Sequence, residues 1–330
     1  MVLTPLTFHP ILKERVWGGR KLDRLYHKAL PPGVPIGESW EISDRPGDVS
    51  MITDGPLAGK DLHWLIEHHA QELLGPTQAL HGRFPLLVKI LDSEEKLSLQ
   101  VHPPPEKARE LGGEPKTEMW FIAQAEPGAE LFVGLKRGVT REEFERKIRS
   151  GNVEECVQRI KVKAGDAMFL PSGRVHAIGP GLVIFEIQQN SDTTYRVFDW
   201  NRLGLDGKPR ALHIAESLAS INFDDFEPPL IRGEFTGAGP VKVRSLVRDK
   251  LFTVELYEAA GTASLPLPAN RLQILGVTSG QLELSDAGSE IRLSAGGFSL
   301  IPASARQPVV RIESAASFLR IEPGADSANS

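Results

Sequence analysis

Four side chains in this sequence have the types and spacing of a metal site. Gln100 and His102 stand at i and i+2 in Leu97-Ser-Leu-Gln-Val-His-Pro103. Glu118 lies in the strand-like run Lys116-Thr-Glu-Met-Trp-Phe-Ile122, and His176 closes Gly165-Asp-Ala-Met-Phe-Leu-Pro171-Ser-Gly173-Arg-Val-His. Alternate strand residues share a face, so Gln100 and His102 point the same way. One β interior then collects two imidazoles, a carboxylate and an amide oxygen. That set suits a single Zn²⁺ per chain with a position left open for water or substrate. His102, Glu118 and His176 are equally the types that hold iron in non-haem oxygenases. Gln100 favours zinc, because a fourth protein ligand removes a vacancy that O₂-activating iron needs; other divalent metals stay open.

Lys116 stands two residues before Glu118 and shares its strand face. Burial and a nearby cation would lower its pKa and make it an acid/base candidate, while a neighbouring carboxylate or a substrate phosphate would oppose that shift. Asp192 and Arg196 are four residues apart, so Asp192 is expected to pair with Arg196 or to take part in proton transfer. Glu186, in the strand-like Val183-Ile-Phe-Glu-Ile-Gln-Gln, is a further carboxylate candidate. His68 and His69 are adjacent helical positions whose side chains diverge by about 100°, which makes them poor co-ligands.

The elements that must position these groups are mostly strands. Apolar runs broken by Gly, Pro, Asn and Ser turns dominate from Val241 onward and suit an antiparallel barrel or jelly roll. Helical periodicity appears near 60–83, where it stops at Gly75-Pro76, and near 139–150 and 209–221. The sequence Gly296-Gly-Phe-Ser-Leu-Ile-Pro302-Ala-Ser304-Ala-Arg-Gln307 repeats the glycine-to-proline spacing of Gly165 to Pro171, with Gln307 where His176 stood. The fold class expected is therefore mainly β: two related jelly-roll barrels with helical insertions. Residues 1–235 form the catalytic domain and 236–330 a second domain without metal ligands. Residues 103–115, with Gly112-Gly113, are expected at the pocket mouth, where they could gate entry. The small polar tail from Gly324 is expected to fray.

Composition narrows the function. In 330 residues, 38 Lys and Arg stand against 43 Asp and Glu, a formal charge of −5, so no global positive field draws in nucleic acid or anionic lipid. Any anionic substrate must be met by a few placed cations. No stretch approaches the roughly 18 apolar residues of a membrane span. The single Cys156 and the lack of a signal-like N-terminus fit a reduced, cytoplasmic setting. Neither a phosphate-loop motif nor a dinucleotide fingerprint is present, so nucleotide-dependent phosphoryl transfer and dinucleotide chemistry find no support.

Gly165 through His176 resembles the second motif of the cupin superfamily, which makes the expected barrels cupin-like. Gln100-Val-His102-Pro, Lys116-Thr-Glu118 and Asn190-Ser-Asp192-Thr-Thr-Tyr-Arg196 resemble type I mannose-6-phosphate isomerases of the short bacterial branch, as do Arg15-Val-Trp17-Gly-Gly19 and Gly37-Glu-Ser-Trp40-Glu-Ile-Ser43. Many members carry proline where Thr117 stands, but that residue is not a ligand. The resemblance implies metal-dependent interconversion of mannose 6-phosphate and fructose 6-phosphate through an enediolate, with the sugar phosphate as partner. It implies Arg196 as the active-site arginine beside Lys116 and Asp192. For the substrate it implies Lys89 and Ser98 as holders of phosphate or sugar hydroxyls, together with Trp17 and Glu186. The alternatives are an Fe(II)-dependent cupin dioxygenase and a non-catalytic sugar-binding cupin. A monomer or weak homo-oligomer is expected.

Overall fold

The computed structural model describes residues 3–237 and 239–324. The expectation of a frayed tail falls mainly on 325–330, outside the described residues. Apolar alternation produces four large antiparallel sheets that pack as two sandwiches. The first pairs a six-stranded sheet with a five-stranded one. In spatial order the former runs Ile11–Gly19, Ile36–Ile42, Leu86–Ser93, Leu182–Gln189, Glu118–Ala125 and Ala167–Leu170. The latter runs Tyr195–Phe198, Leu99–Val101, His176–Ile178, Glu130–Leu135 and Val157–Lys161.

The second sandwich repeats this order. Its five-stranded sheet is Val241–Arg248, Phe252–Ala259, Ala316–Pro323, Gln273–Ser279 and Phe298–Ile301, and its four-stranded sheet is Ala263–Pro266, Val309–Ile312, Gln281–Asp286 and Ser289–Ser294. Strand for strand, Phe298–Ile301 occupies the edge position that Ala167–Leu170 holds in the first sandwich. The glycine that opens each strand has a positive φ, +87° at Gly165 and +77° at Gly296. The echo seen in the sequence is thus an echo of topology. One expectation changes. Among the described residues no strand ladder joins the two sheets of either pair, so each unit is an open sandwich and not a closed barrel. The chain passes between sheets through turns such as 162–166, which leave the edges unpaired.

The helices decorate the sandwiches. The first long one, Leu62–Leu74, begins at Asp61, whose carboxylate accepts from the Trp64 amide at 2.7 Å, and ends at Gly75 with φ +60°. Arg141–Arg149 is capped by the Thr140 hydroxyl. Only Ile214–Ser220 of the expected 209–221 helix forms. Pro209 bridges back to Leu203 and Arg210 is committed to Asp199, which holds 209–213 out of the helix. A short helix at Lys21–Tyr26 went unseen in the periodicity. Among the described residues no helix is long and apolar enough to cross a membrane.

The largest core lies between the two sandwiches. Val183, Phe185 and Ile187 of the six-stranded sheet pack with Phe252, Phe298, Leu319 and Ile321 of the second unit, and the Phe185 and Phe298 ring centroids are 5.4 Å apart. The alternate residues of the same strand, Ile184 and Glu186, face the other way, into the first sandwich. The six-stranded sheet is therefore buried on both faces. A sheet clamped in this way holds its inward side chains in fixed rows.

Candidate metal centre and active site

Two rows of cross-strand neighbours meet inside the first sandwich. On the five-stranded sheet, Arg196 pairs with Gln100 and Gln100 with His176. On the six-stranded sheet, Trp40 pairs with Lys89, Lys89 with Glu186 and Glu186 with Trp120. Strand register thus places functional side chains from distant parts of the chain side by side.

His102, Glu118 and His176 converge, with one ligand atom from each within 4.8 Å of the others. Each imidazole Nδ1 donates to a backbone carbonyl, His102 to Thr193 O at 2.8 Å and His176 to Arg174 O at 2.9 Å. Carbonyls only accept, so both Nε2 atoms carry their lone pairs toward Glu118, 3.4 Å from its two oxygens. His102 Nε2 and both Glu118 oxygens are buried without a hydrogen-bond partner. Burial favours neutral imidazoles: His102 is lowered, and His176 is pushed down to about 3. Burial would raise Glu118, but the Lys116 ammonium beside it holds it well below the ordinary carboxylate range. Two neutral imidazoles and a carboxylate with orphaned lone pairs fit a divalent cation. Gln100 adjoins them, with its amide nitrogen 3.3 Å from His176 Nε2. Ligation through its oxygen needs a half-turn of that amide.

The turn before His176 is tied to the backbone of His102. Gly173, with φ +91°, donates its N–H to His102 O at 2.9 Å.

A cavity of about 360 Å³ opens beside this centre, lined by Arg15, Trp17, Glu38, Lys89, Ser98, Gln100, Lys116, Glu186, Asp192, Thr194, Arg196 and Arg210, with Leu91 and Leu97. Lys116 is 4% exposed and contacts Glu118 at 3.0 Å and Glu186 at 3.8 Å. Burial alone would lower its pKa, but Glu118, Glu186 and Asp192 outweigh that and raise it. The carboxylates win the contest foreseen for this residue. Lys89 lies 3.8 Å from Glu38 and 3.6 Å from Glu186, over the Trp40 ring. Glu186 is raised by burial and by Glu118, and its Oε2 accepts from the Trp120 indole at 3.0 Å.

Asp192 lines the cavity, exposed at its edge, but forms no ion pair with Arg196 among the described residues. Its charge acts on Arg15 and Lys116 instead. Arg196 donates to Ala211 O at 2.7 Å and leaves its buried Nε unpartnered. Burial lowers its pKa, helped by the nearby Arg210 and Arg202 charges. Residues 103–115 do not line this cavity, though Glu114 N donates to the Thr193 hydroxyl, between the lining residues Asp192 and Thr194. Trp17, Lys89, Ser98 and Glu186 all reach it.

Four lining or supporting residues had been given no role. Arg15 forks onto Glu38 at 2.9 and 3.3 Å, and the Trp40 indole donates to the same carboxylate at 2.6 Å. Glu38 and Trp40 alternate on one strand, a pattern legible in principle. Arg210, held by Asp199 at 2.7 Å, sits in an irregular loop with no periodic signal.

Paired antiparallel sheets with a buried His-Glu-His centre define a metal-binding protein of cupin-like architecture. The chain belongs to the type I phosphomannose isomerase family. The model of its catalytic domain matches residues 6–117. The mannose-6-phosphate isomerase ManA of Bacillus subtilis is 38% identical over 271 residues, covering 80% of this chain and 82% of the relative. That of Streptococcus mutans is 34% identical over 299 residues, covering 90% and 92%. The crystal structure of a Bacillus subtilis mannose 6-phosphate isomerase superposes with a TM-score of 0.88 at 31% identity, covering 97% of this chain and all of that one.

Proposed function

We infer that this protein interconverts mannose 6-phosphate and fructose 6-phosphate in a metal-dependent aldose–ketose isomerisation. One observation carries the reading. Two neutral imidazoles and the Glu118 carboxylate converge beside a cavity rich in fixed cations, and His102 Nε2 and Glu118 Oε1 are buried there without a partner. His102, Glu118 and His176 would hold the ion, with the Gln100 oxygen as fourth ligand, and this donor set is that of zinc. When bound, a divalent cation supplies Lewis acidity that stabilises negative charge on the sugar oxygens as the enediolate develops.

The chain's own residues supply the rest. The reaction removes a proton from one of C1 and C2 and returns one to the other. We assign that transfer to the Lys116–Glu186 pair, whose facing atoms are 3.8 Å apart. Arg196, beside Gln100 in the same cross-strand row, stabilises the negative oxygen. Its unpartnered Nε supports this role. Asp192 tunes Lys116 by its charge. Arg210 shares its Asp199 partner with Arg202 and is assigned to the phosphate, because one carboxylate leaves two guanidinium groups undercompensated. Lys89, balanced by Glu38 and Glu186, and Ser98 are assigned to sugar hydroxyls, and Trp17 to covering the sugar face. Residues 1–235 are proposed as the catalytic unit and 236–330 as its support. The buried free thiol of Cys156 supports a reduced, cytoplasmic setting.

Replacing His102 or Glu118 by Ala is expected to abolish metal retention. Arg196→Ala should keep the metal and lose most turnover of mannose 6-phosphate. Metal content by mass spectrometry and a coupled fructose 6-phosphate assay read both, and normal turnover by Arg196→Ala removes that arginine from the mechanism.

A further inference from the structure

A second cavity, about 350 Å³, lies behind the active site and is lined by Arg45, His81, Arg83, Arg109, Glu114 and Asn190, with Gln189 and apolar residues between them. Its charges do not balance. Arg45 is paired with Glu114 at 2.7 Å and Arg83 with Asp44 at 3.0 Å. Arg109 and His81 have no side-chain partner among the described residues. The carboxamide of Asn190 is also half used. Its nitrogen donates to Asp44 O and Phe84 O, while its oxygen is buried without a donor. Asn190 is 4% exposed, so this acceptor is held by the fold and has not simply turned toward bulk water.

We propose that this cavity is a second ligand site, for a small phosphate monoester. The guanidinium forks of Arg109 and Arg45 match the geometry of a phosphate, and Arg83 adds positive charge beside them. The site shares its wall with the metal chamber. Glu114 and Pro115 line the second cavity while Lys116 lines the first, and Gln189 and Asn190 line the second while Asp192 and Thr194 line the first. The Gln189 side chain accepts from Thr117 N at 2.8 Å and ties the two stretches together. A ligand there rests on the same backbone that presents Lys116 to the substrate.

Equilibrium dialysis of the metal-loaded enzyme with labelled glycerol 3-phosphate tests the site. Arg109→Glu places an anion in the cavity from an exposed position and is expected to remove one binding site per chain, weakening it by about tenfold or more. Arg109→Lys is expected to retain the site in part, and Arg196→Ala to retain it in full. The kcat/KM for mannose 6-phosphate, measured without glycerol 3-phosphate, stays unchanged in Arg109→Glu. An isotherm that is the same in wild type and Arg109→Glu, or a site lost in Arg196→Ala and kept in Arg109→Glu, overturns the proposal.

Discussion

Glu38 shows how strongly this cavity commits its charges. Burial works to raise its pKa, but Lys89, the Arg15 fork and the Trp40 indole hold the carboxyl down at about 2. A depressed carboxylate contributes stability that is present above its ordinary pKa near 4.5 and is lost as pH falls toward 2. The contribution is about 3 kcal/mol. Urea midpoints should therefore drop more steeply between pH 5 and pH 3 in the wild type than in Glu38→Gln; parallel losses would contradict this charge network. At this scale the sequence was uneven. The convergence of His102, Glu118 and His176, with Gln100 beside them, was legible because ligand chemistry allows few residue types and strand alternation fixes their faces. Of the two roles open to Asp192, pairing with Arg196 does not form, because four residues bring side chains together on a helix, whereas the chain into Tyr195–Phe198 is not helical. Arg210 could not be read at all, since its place depends on a loop folding back to Asp199.

The turn from Pro171 to His176 matters because it fastens the strand of His176 to the backbone of His102. Arg174 N donates to Pro171 O at 3.1 Å, Gly173 N donates to His102 O at 2.9 Å, and Arg174 O receives the His176 Nδ1 proton. Gly173 takes φ +91°, and a Cβ built there would stand 3.2 Å from Ser220 O. Gly173→Ala is expected to cost about 1–2 kcal/mol of stability. Because the strain falls on the turn that carries the Arg174 carbonyl holding His176 Nδ1, metal affinity should fall by about tenfold. A thermal melt and a competitive metal titration measure the two effects. An Ala variant with wild-type metal affinity would show that the turn is only a corner. Glycine and proline spacing made this element readable, whereas sheet closure was not. Alternation reports which face a strand buries, but whether facing edges join depends on hydrogen bonds that the pattern does not encode.

The two sandwiches share one core. The repeat retains the strand order and the opening glycine but places Gln307, not histidine, after the turn, and its five-stranded sheet supplies the apolar surface behind Glu186 and Lys89. Phe298 packs on Phe185, the neighbour of Glu186 in sequence. Phe298→Ala is expected to lower the stability of the whole chain by about 3–5 kcal/mol in a single transition. Loss of activity and of near-ultraviolet dichroism should coincide on heating. An early transition confined to the second sandwich, with activity intact, would show that the units are independent. The core between them was invisible as such in the sequence, because an all-apolar run such as Val183 to Ile187 does not say what covers its outer face.

The central claim is that this cavity isomerises a sugar phosphate by means of a bound divalent metal. Conversion of mannose 6-phosphate to fructose 6-phosphate, followed in a coupled assay before and after chelation and then after adding back zinc, manganese, cobalt or iron, tests it most directly. Chelated protein should be inactive, and zinc should restore turnover. Full turnover by protein shown to be metal-free, or none with any of the four metals, would contradict it.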